Sequence, residues 1–216
     1  MISNLIPGLD IQGLAFNFII LFFAITVHEF SHGFVAYKLG DPTAKAMGRL
    51  TFNPLAHLDP LGALMMIFCG FGWAKAVPVN PYYFKDPKKD MVLVAFAGPA
   101  SNLIMAFIAA TLIPFAAKYL IMSMPMIPLF LYFFMLRNLQ FAAFNLIPFP
   151  PLDGSKILFS LLPNHLYNKF LTYENIGTIV LLLLSFTGIL GNIIGLVITP
   201  ILDVYGMWIS FLSNLL

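Results

Sequence analysis

The chain has 216 residues, of which 60% are apolar and 9% are charged. Soluble domains carry about 25% charged residues, so this composition excludes an ordinary soluble protein and indicates a polytopic membrane protein. Its net charge of +2 and its single cysteine, Cys69, favour neither a nucleic-acid partner nor an internal disulfide.

Four apolar stretches, at residues 17–39, 91–117, 128–146 and 176–198, are each long enough to cross a bilayer as a helix. We expect the last of them to be interrupted at Gly191-Asn192, and the apolar tail 201–216 to form a last helix or to lie on the surface. The predicted fold class is an all-α polytopic membrane protein with about four to six membrane helices in one domain, residues 1–216.

The region between the first two spans differs in character. Residues 61–71 are apolar but only about half a span long, which indicates a re-entrant or interfacial segment. The prolines around Val77 and Val79 forbid a helix and permit a short edge strand. Seven of the eleven basic residues lie from Lys38, near the end of the first span, to Lys89, so this region is expected to be cytoplasmic, with the N-terminus outside.

The motif His28-Glu29-Phe30-Ser31-His32 ends the first apolar stretch. On a helix the two histidines lie about 40° apart around the axis and roughly 6 Å apart along it, so both can reach one cation. Glu29 could then contact a metal-bound water without being a ligand. Ionisable residues inside a membrane are functional by default, which favours a metal site over a polar cluster at the bilayer surface.

A catalytic zinc usually has three protein ligands, so one more is needed from elsewhere in the chain. Asp153 is the best candidate, because it follows a proline-broken stretch at membrane depth, where irregular backbone is tolerated only if it is buried or lines a wet cavity. The alternative is an Asp-Gly turn at the cytoplasmic surface.

Further polar residues are candidates for substrate binding. Asn138 and Asn145 are seven residues apart and share a helix face that leads to Asp153. Each could hold the scissile carbonyl, or each could form an interhelical hydrogen bond. His57 is open to three interpretations: a metal ligand, a cleft residue or a loop anchor.

Five segments together carry a family resemblance: HEFSH, NPLAHLDPLG, WAKAVPVNP, AGPASN and FNLIPFPPLDG, from His28 to about Lys156. In this order they resemble the site-2 protease family of intramembrane zinc metalloproteases. The resemblance implies one zinc ion per chain, held by His28, His32 and Asp153, with Glu29 as the catalytic acid/base.

The resemblance also implies that Asn145 is a cleft residue, and His57 and Asn102 match family positions. We expect Asn102 to be structural or to act through a metal ligand. The chain looks like a minimal prokaryotic-type member without a PDZ or CBS domain.

The expected function is an intramembrane zinc endopeptidase of the cell membrane that cuts transmembrane segments of other membrane proteins near the cytoplasmic face, in regulated intramembrane proteolysis. A substrate helix must unwind before attack, and Val77 and Val79 could hold the unwound segment by strand addition. The alternative is a non-catalytic membrane metal-binding protein or a zinc transporter. The oligomeric state is not predicted.

Overall fold

The computed structural model describes residues 11–69, 72–163 and 174–216, which fold into helices and irregular segments without any strand. The α-helices of these ranges, in chain order, are α1 (Ile11–Lys38), α2 (Thr43–Ala46), α3 (Pro60–Cys69), α4 (Pro87–Tyr119), α5 (Met126–Asn145), α6 (Asp153–Ser160), α7 (Glu174–Thr187) and α8 (Ile189–Leu215). Short 3-10 helices lie at Pro54–His57 and Pro81–Tyr83.

Four of these helices are long and apolar enough to cross a membrane: Phe16–Lys38 of α1, all of α4, all of α5 and all of α8. The prediction of an all-α polytopic membrane protein is therefore confirmed. The first three spans lie where the apolar stretches predicted them. Helix α1 stops before Gly40, whose φ of 109° suits only glycine comfortably.

Helix α4 is central to the bundle, since it packs against α1, α5, α6 and α8. Small residues on α4, Ala106 and Ala110, lie in a fully buried cluster with Met135 and Leu139 of α5. Small side chains let two backbones approach closely, which is how membrane helices gain packing contacts without a hydrophobic driving force.

The prediction of one span over residues 176–198 is wrong. Helix α7 ends at Thr187, and Gly188 has a left-handed φ of 75° that breaks the chain before α8. Gly191 and Asn192, the predicted interruption, lie inside α8. The tail is thus part of a 27-residue helix. Apolar composition alone does not show where such a stretch turns, because a single glycine decides it.

The segment 72–80 was predicted to contain a short edge strand, and it is irregular instead. Its backbone bonds go to separate partners: the Lys75 N–H donates to the His57 carbonyl (3.0 Å), and the Asn80 N–H donates to an Asp41 carboxylate oxygen (2.7 Å). Arg49 Nη2 donates to the carbonyls of Lys75 (2.6 Å) and Ala76 (3.2 Å). Because these partners belong to separate elements, and the described chain contains no strand, the segment forms no ladder of backbone hydrogen bonds.

Candidate active site

The two histidines of the α1 motif and the first residue of α6 converge on one point. His28 Nε2 lies 3.0 Å from His32 Nε2, and each nitrogen lies 3.1 Å from Asp153 Oδ2. All three side chains are buried. The three atoms therefore form a nearly equilateral triangle, as the three ligands of one ion would.

Helix α4 supports this triangle from behind with three residues spaced one turn apart. His32 Nδ1 donates to the Val94 carbonyl oxygen (2.7 Å), and His28 Nδ1 donates to Asn102 Oδ1 (2.7 Å). Gly98 lies between them, where a Cβ atom would overlap His32 Nε2 and lie 2.6 Å from His28 Cε1. Both imidazoles are thus held with a proton on Nδ1 and a free lone pair on Nε2.

This donor set fits a zinc ion. Two imidazole nitrogens and one carboxylate oxygen are its usual ligands, at about 2.0–2.1 Å each, and the triangle is small enough to bring all three within that reach. With both Nδ1 atoms protonated, three lone pairs face each other, and Asp153 Oδ2 has no hydrogen-bond donor among the described residues. A cation at this point would satisfy all three atoms. Hydrogen bonds from the far side of each imidazole are the usual support for such ligands.

Asp153 reaches the histidines because the chain leaves α5 through a tight turn over residues 146–152 and then starts α6. Gly154 is needed here, since a Cβ atom would collide with the Leu146 carbonyl oxygen. As a ligand of the metal ion, the carboxyl of Asp153 would have to be ionised.

Glu29 lies beside the triangle and not within it. Its Oε2 accepts a hydrogen bond from the Val77 N–H (2.8 Å), which connects α1 with the segment 72–80. This segment is itself held by Arg49 through the carbonyls of Lys75 and Ala76. The carboxylate of Glu29 is thus oriented by a backbone amide that is fixed from the other side.

A cavity of about 440 Å³ opens onto these residues. Its lining includes His28, Glu29, His32 and Asp153 together with residues from the segment 72–80, α4, α5, α6 and α7. A space of this size beside the three converging atoms and the carboxylate of Glu29 can hold a stretch of peptide.

The structure separates the residues predicted to bind substrate into two groups. Asn145, Val77 and Val79 line the cavity. Asn138 and His57 are fully buried and do not line it.

Both residues outside the cavity are held by hydrogen bonds. Asn138 Oδ1 accepts from Asn102 Nδ2 (2.8 Å), and its own Nδ2 donates to the Phe134 carbonyl (2.9 Å). His57 Nε2 lies 2.8 Å from the Thr51 carbonyl, as a loop anchor would. Asn138 and Asn102 therefore form a buried chain of hydrogen bonds that ends on His28.

Three contributions to the site had no sequence signal strong enough to find them. The Val94 carbonyl is a backbone group, so its residue type says nothing about its role. Arg49 lies in a mixed polar stretch more than twenty positions before the carbonyls that it holds. Lys156, which lines the cavity, was visible only as one more charge after Asp153-Gly154.

Paired histidines one helical turn apart, a carboxylate that could complete a metal site with them and an adjacent glutamate, all buried within a bundle of membrane-length helices, are features of a membrane metallopeptidase. The sequence matches Peptidase family M50 over residues 16–126 and 117–187. The chain belongs to this family and is a zinc metalloprotease, which confirms the resemblance to site-2 proteases.

Several curated relatives agree with this assignment. The chain is 45% identical over 176 residues to the protein of Bacillus subtilis provisionally named zinc metalloprotease YwhC, covering 78% of this chain and 79% of the relative. It is 28% identical over 191 residues to zinc metalloprotease MJ0392 of Methanocaldococcus jannaschii, covering 88% of this chain and 47% of the relative. No solved structure matches it significantly.

Proposed function

We propose that this zinc metalloprotease is an intramembrane endopeptidase that hydrolyses peptide bonds within transmembrane segments of other membrane proteins, as in regulated intramembrane proteolysis. One observation carries the proposal: the three ligand atoms and Glu29 are buried inside a bundle whose helices are long enough to span the bilayer. A substrate that reaches this cavity must come from the membrane or from its surface.

In the proposed mechanism His28, His32 and Asp153 hold the zinc ion, and Glu29 is the catalytic acid/base. Zinc supplies Lewis-acid activation of water and of the scissile carbonyl. Glu29 takes a proton from the attacking water and later gives it to the leaving amine, so the same carboxylate serves both steps. The Val77 N–H fixes Oε2, which leaves the other oxygen of Glu29 to handle the proton.

Around Val77, residues 75–80 offer few backbone donors for holding an unwound substrate by strand addition. Lys75, Val77 and Asn80 donate within the chain, and Pro78 has no N–H. Within the described structure, the amides of Ala76 and Val79 therefore remain for a substrate. A proline at Val79 tests strand addition, because it removes such a donor without touching Glu29. A proline at Val77 would disturb Glu29 as well.

The orientation belongs to the same proposal. The basic residues between α1 and α4 support a cytoplasmic position for that region, and with it for the catalytic end of α1, with the N-terminus outside. Helix α3 has ten residues, too few to cross the bilayer, and we assign it a re-entrant position. We assign Asn145, which lines the cavity at the end of α5, to contact with the peptide next to the cleaved bond.

The decisive experiment compares the purified protein with its Glu29→Gln variant in detergent. Both are expected to contain one zinc ion per chain, and only the wild type is expected to cut a model transmembrane peptide. His32→Ala, as a ligand variant, should lose both zinc and cleavage. Equal cutting by the wild type and Glu29→Gln would reject the proposed role of Glu29.

A second pattern would reject the proteolytic function altogether. Zinc bound by both proteins, with no transmembrane peptide cut by either, would leave the zinc site intact and point to metal binding or transport. A transport assay in zinc-free vesicles would then show uptake that Glu29→Gln does not abolish.

A further inference from the structure

Lys156 lies one turn after Asp153 on α6 and lines the same cavity as His28, Glu29 and His32. Among the lining residues that the structure describes, it is the only lysine or arginine. It is half-buried. A cation thus faces the space in which the proposed reaction would take place.

Among the described residues, no anion pairs with this lysine. The carboxylate of Glu29 is bound to the Val77 N–H, and that of Asp153 faces the two histidines. In the described part of the chain, no ion pair or hydrogen bond joins Lys156 to either of them or to any other group. Lysine is rarely withdrawn from water without a partner, because its charge loses solvation.

The charges of the described cavity lining leave this cation uncompensated. When zinc is bound, its two positive charges balance the negative charges of Glu29 and Asp153. The charge of Lys156 then remains as a net positive charge facing the peptide. A cavity with low-dielectric walls and one unopposed charge concentrates ligands of the opposite sign.

We propose that Lys156 is a specificity-determining residue that recognises a carboxylate on the substrate chain close to the cleaved bond. This inference rests on the proposed function. The substrate class is therefore a membrane segment that carries an aspartate or glutamate at or next to its site of cleavage. Such a residue also disfavours a stable membrane helix, so it lies where the segment unwinds most easily.

The test uses pairs of model transmembrane peptides that differ only by Asp or Asn, at successive positions on both sides of the cleaved bond. For at least one position the wild type is expected to cut the Asp peptide with a kcat/KM about fivefold higher, the upper range for a solvent-accessible ion pair. The difference should appear in KM and not in kcat, because the interaction does not involve the reacting atoms.

Charge variants of Lys156 sharpen the test. Lys156→Met should remove the preference, Lys156→Arg should keep it, and Lys156→Glu should reverse it in favour of a peptide with Lys at the same position. The matched control is Lys85→Glu, since Lys85 is exposed and lies outside the cavity lining. Zinc content should be unchanged in all of them.

Binding gives a readout that does not depend on turnover. The Glu29→Gln protein should bind the Asp peptide more tightly than the Asn peptide, and the double variant Glu29→Gln, Lys156→Met should bind both equally. The preference of the wild type should also fall as salt is raised, because the lysine is partly solvated.

A wild-type ratio near one at every position would overturn the proposal, as would a preference that survives in Lys156→Met. Equal losses of kcat for both peptides in Lys156→Met would also overturn it, by assigning the lysine to catalysis. All of these outcomes leave zinc-dependent cutting by the wild type intact, so they are distinct from a failure of the proposed function.

Discussion

In α4, a Cβ atom at Gly98 would overlap His32 Nε2, whereas at Gly195 or Gly206 of α8 it would meet no atom within 4 Å. The same residue type therefore has opposite meanings in two membrane-length helices. In α4 the glycine makes room for the imidazoles of His28 and His32. In α8 it lies on an open surface, where side-chain size is not restricted by the described structure.

Polar residues show the same contrast. Asn102 of α4 and Asn138 of α5 are fully buried and hydrogen-bonded to each other. Asn192 and Asp203 of α8 are exposed. Helix α8 does pack against α4, through hydrogen bonds such as Trp208 Nε1 to Thr111 Oγ1 (3.0 Å), but most of its surface faces outward. The buried amides of α4 and α5 connect to His28 by hydrogen bonds. The exposed polar groups of α8 do not reach His28.

The largest expected effect is the loss of zinc binding and cleavage when a Cβ atom is added at Gly98 of α4, with Gly195 of α8 as the control. Gly98→Ala should abolish zinc binding and cleavage, because the backbone of a packed helix cannot move away from the overlap with His32. Gly195→Ala should keep both. Zinc content by elemental analysis and peptide cleavage measure the difference. Full zinc binding in Gly98→Ala would mean that α1 and α4 can separate, which would break the contrast.

Next in size is the loss of the amide that supports His28. Asn102→Leu removes the acceptor of the His28 Nδ1–H, so zinc affinity should fall by about 10- to 100-fold, as for other residues that orient metal ligands. Competition with a chelator measures it. Asn192→Leu is the control in α8 and should leave affinity unchanged. Asn138→Ala, which acts only through Asn102, should cost less than Asn102→Leu.

A smaller effect is expected at Arg49, which holds the segment that orients Glu29. Arg49→Met leaves the carbonyls of Lys75 and Ala76 without their donor, so the Val77 N–H should shift from Glu29. Cleavage should fall about 10-fold with zinc content unchanged, since small misplacements of a catalytic group are costly. Lys45→Met is the control, because Lys45 is exposed. A parallel loss of zinc would show a general structural role instead.

The smallest effect, and one of opposite sign, is expected in α8. Asp203 is exposed near the middle of the helix, and a charge facing lipid at that depth costs about 2.5–3.5 kcal/mol in insertion. Asp203→Leu should therefore raise thermal stability in bilayers by a few degrees without changing cleavage. Lower stability in the variant would mean that another helix covers this face.

Much of the fold and the centre of the site could be predicted because they depend on short spacings. The apolar stretches of α1, α4 and α5 each satisfy the length of a bilayer locally, and His28 and His32 share a helix face by their spacing alone. Asp153 could be proposed because prolines mark its stretch as irregular. The break at Gly188 was missed, since an apolar stretch with several glycines contains no local sign of which one turns.

The amides show where sequence reasoning stops. Asn138 and Asn145 share a helix face, and for each the sequence left open substrate binding or an interhelical hydrogen bond. In the structure Asn145 lines the cavity and Asn138 is hydrogen-bonded to Asn102. Spacing places two residues on one face but does not show what lies opposite each of them. Packing of α4 against α5 makes that choice.

The sequence by itself determined the membrane spans and placed two histidines where they could share one metal ion, because span length and helical spacing are local properties of the chain. Only the tertiary structure decided which groups complete the site. Asn102 meets His28 across 74 positions and Val77 meets Glu29 across 48, and Lys156 enters the same cavity from α6. These contacts arise from the packing of helices, which no local pattern of residues encodes.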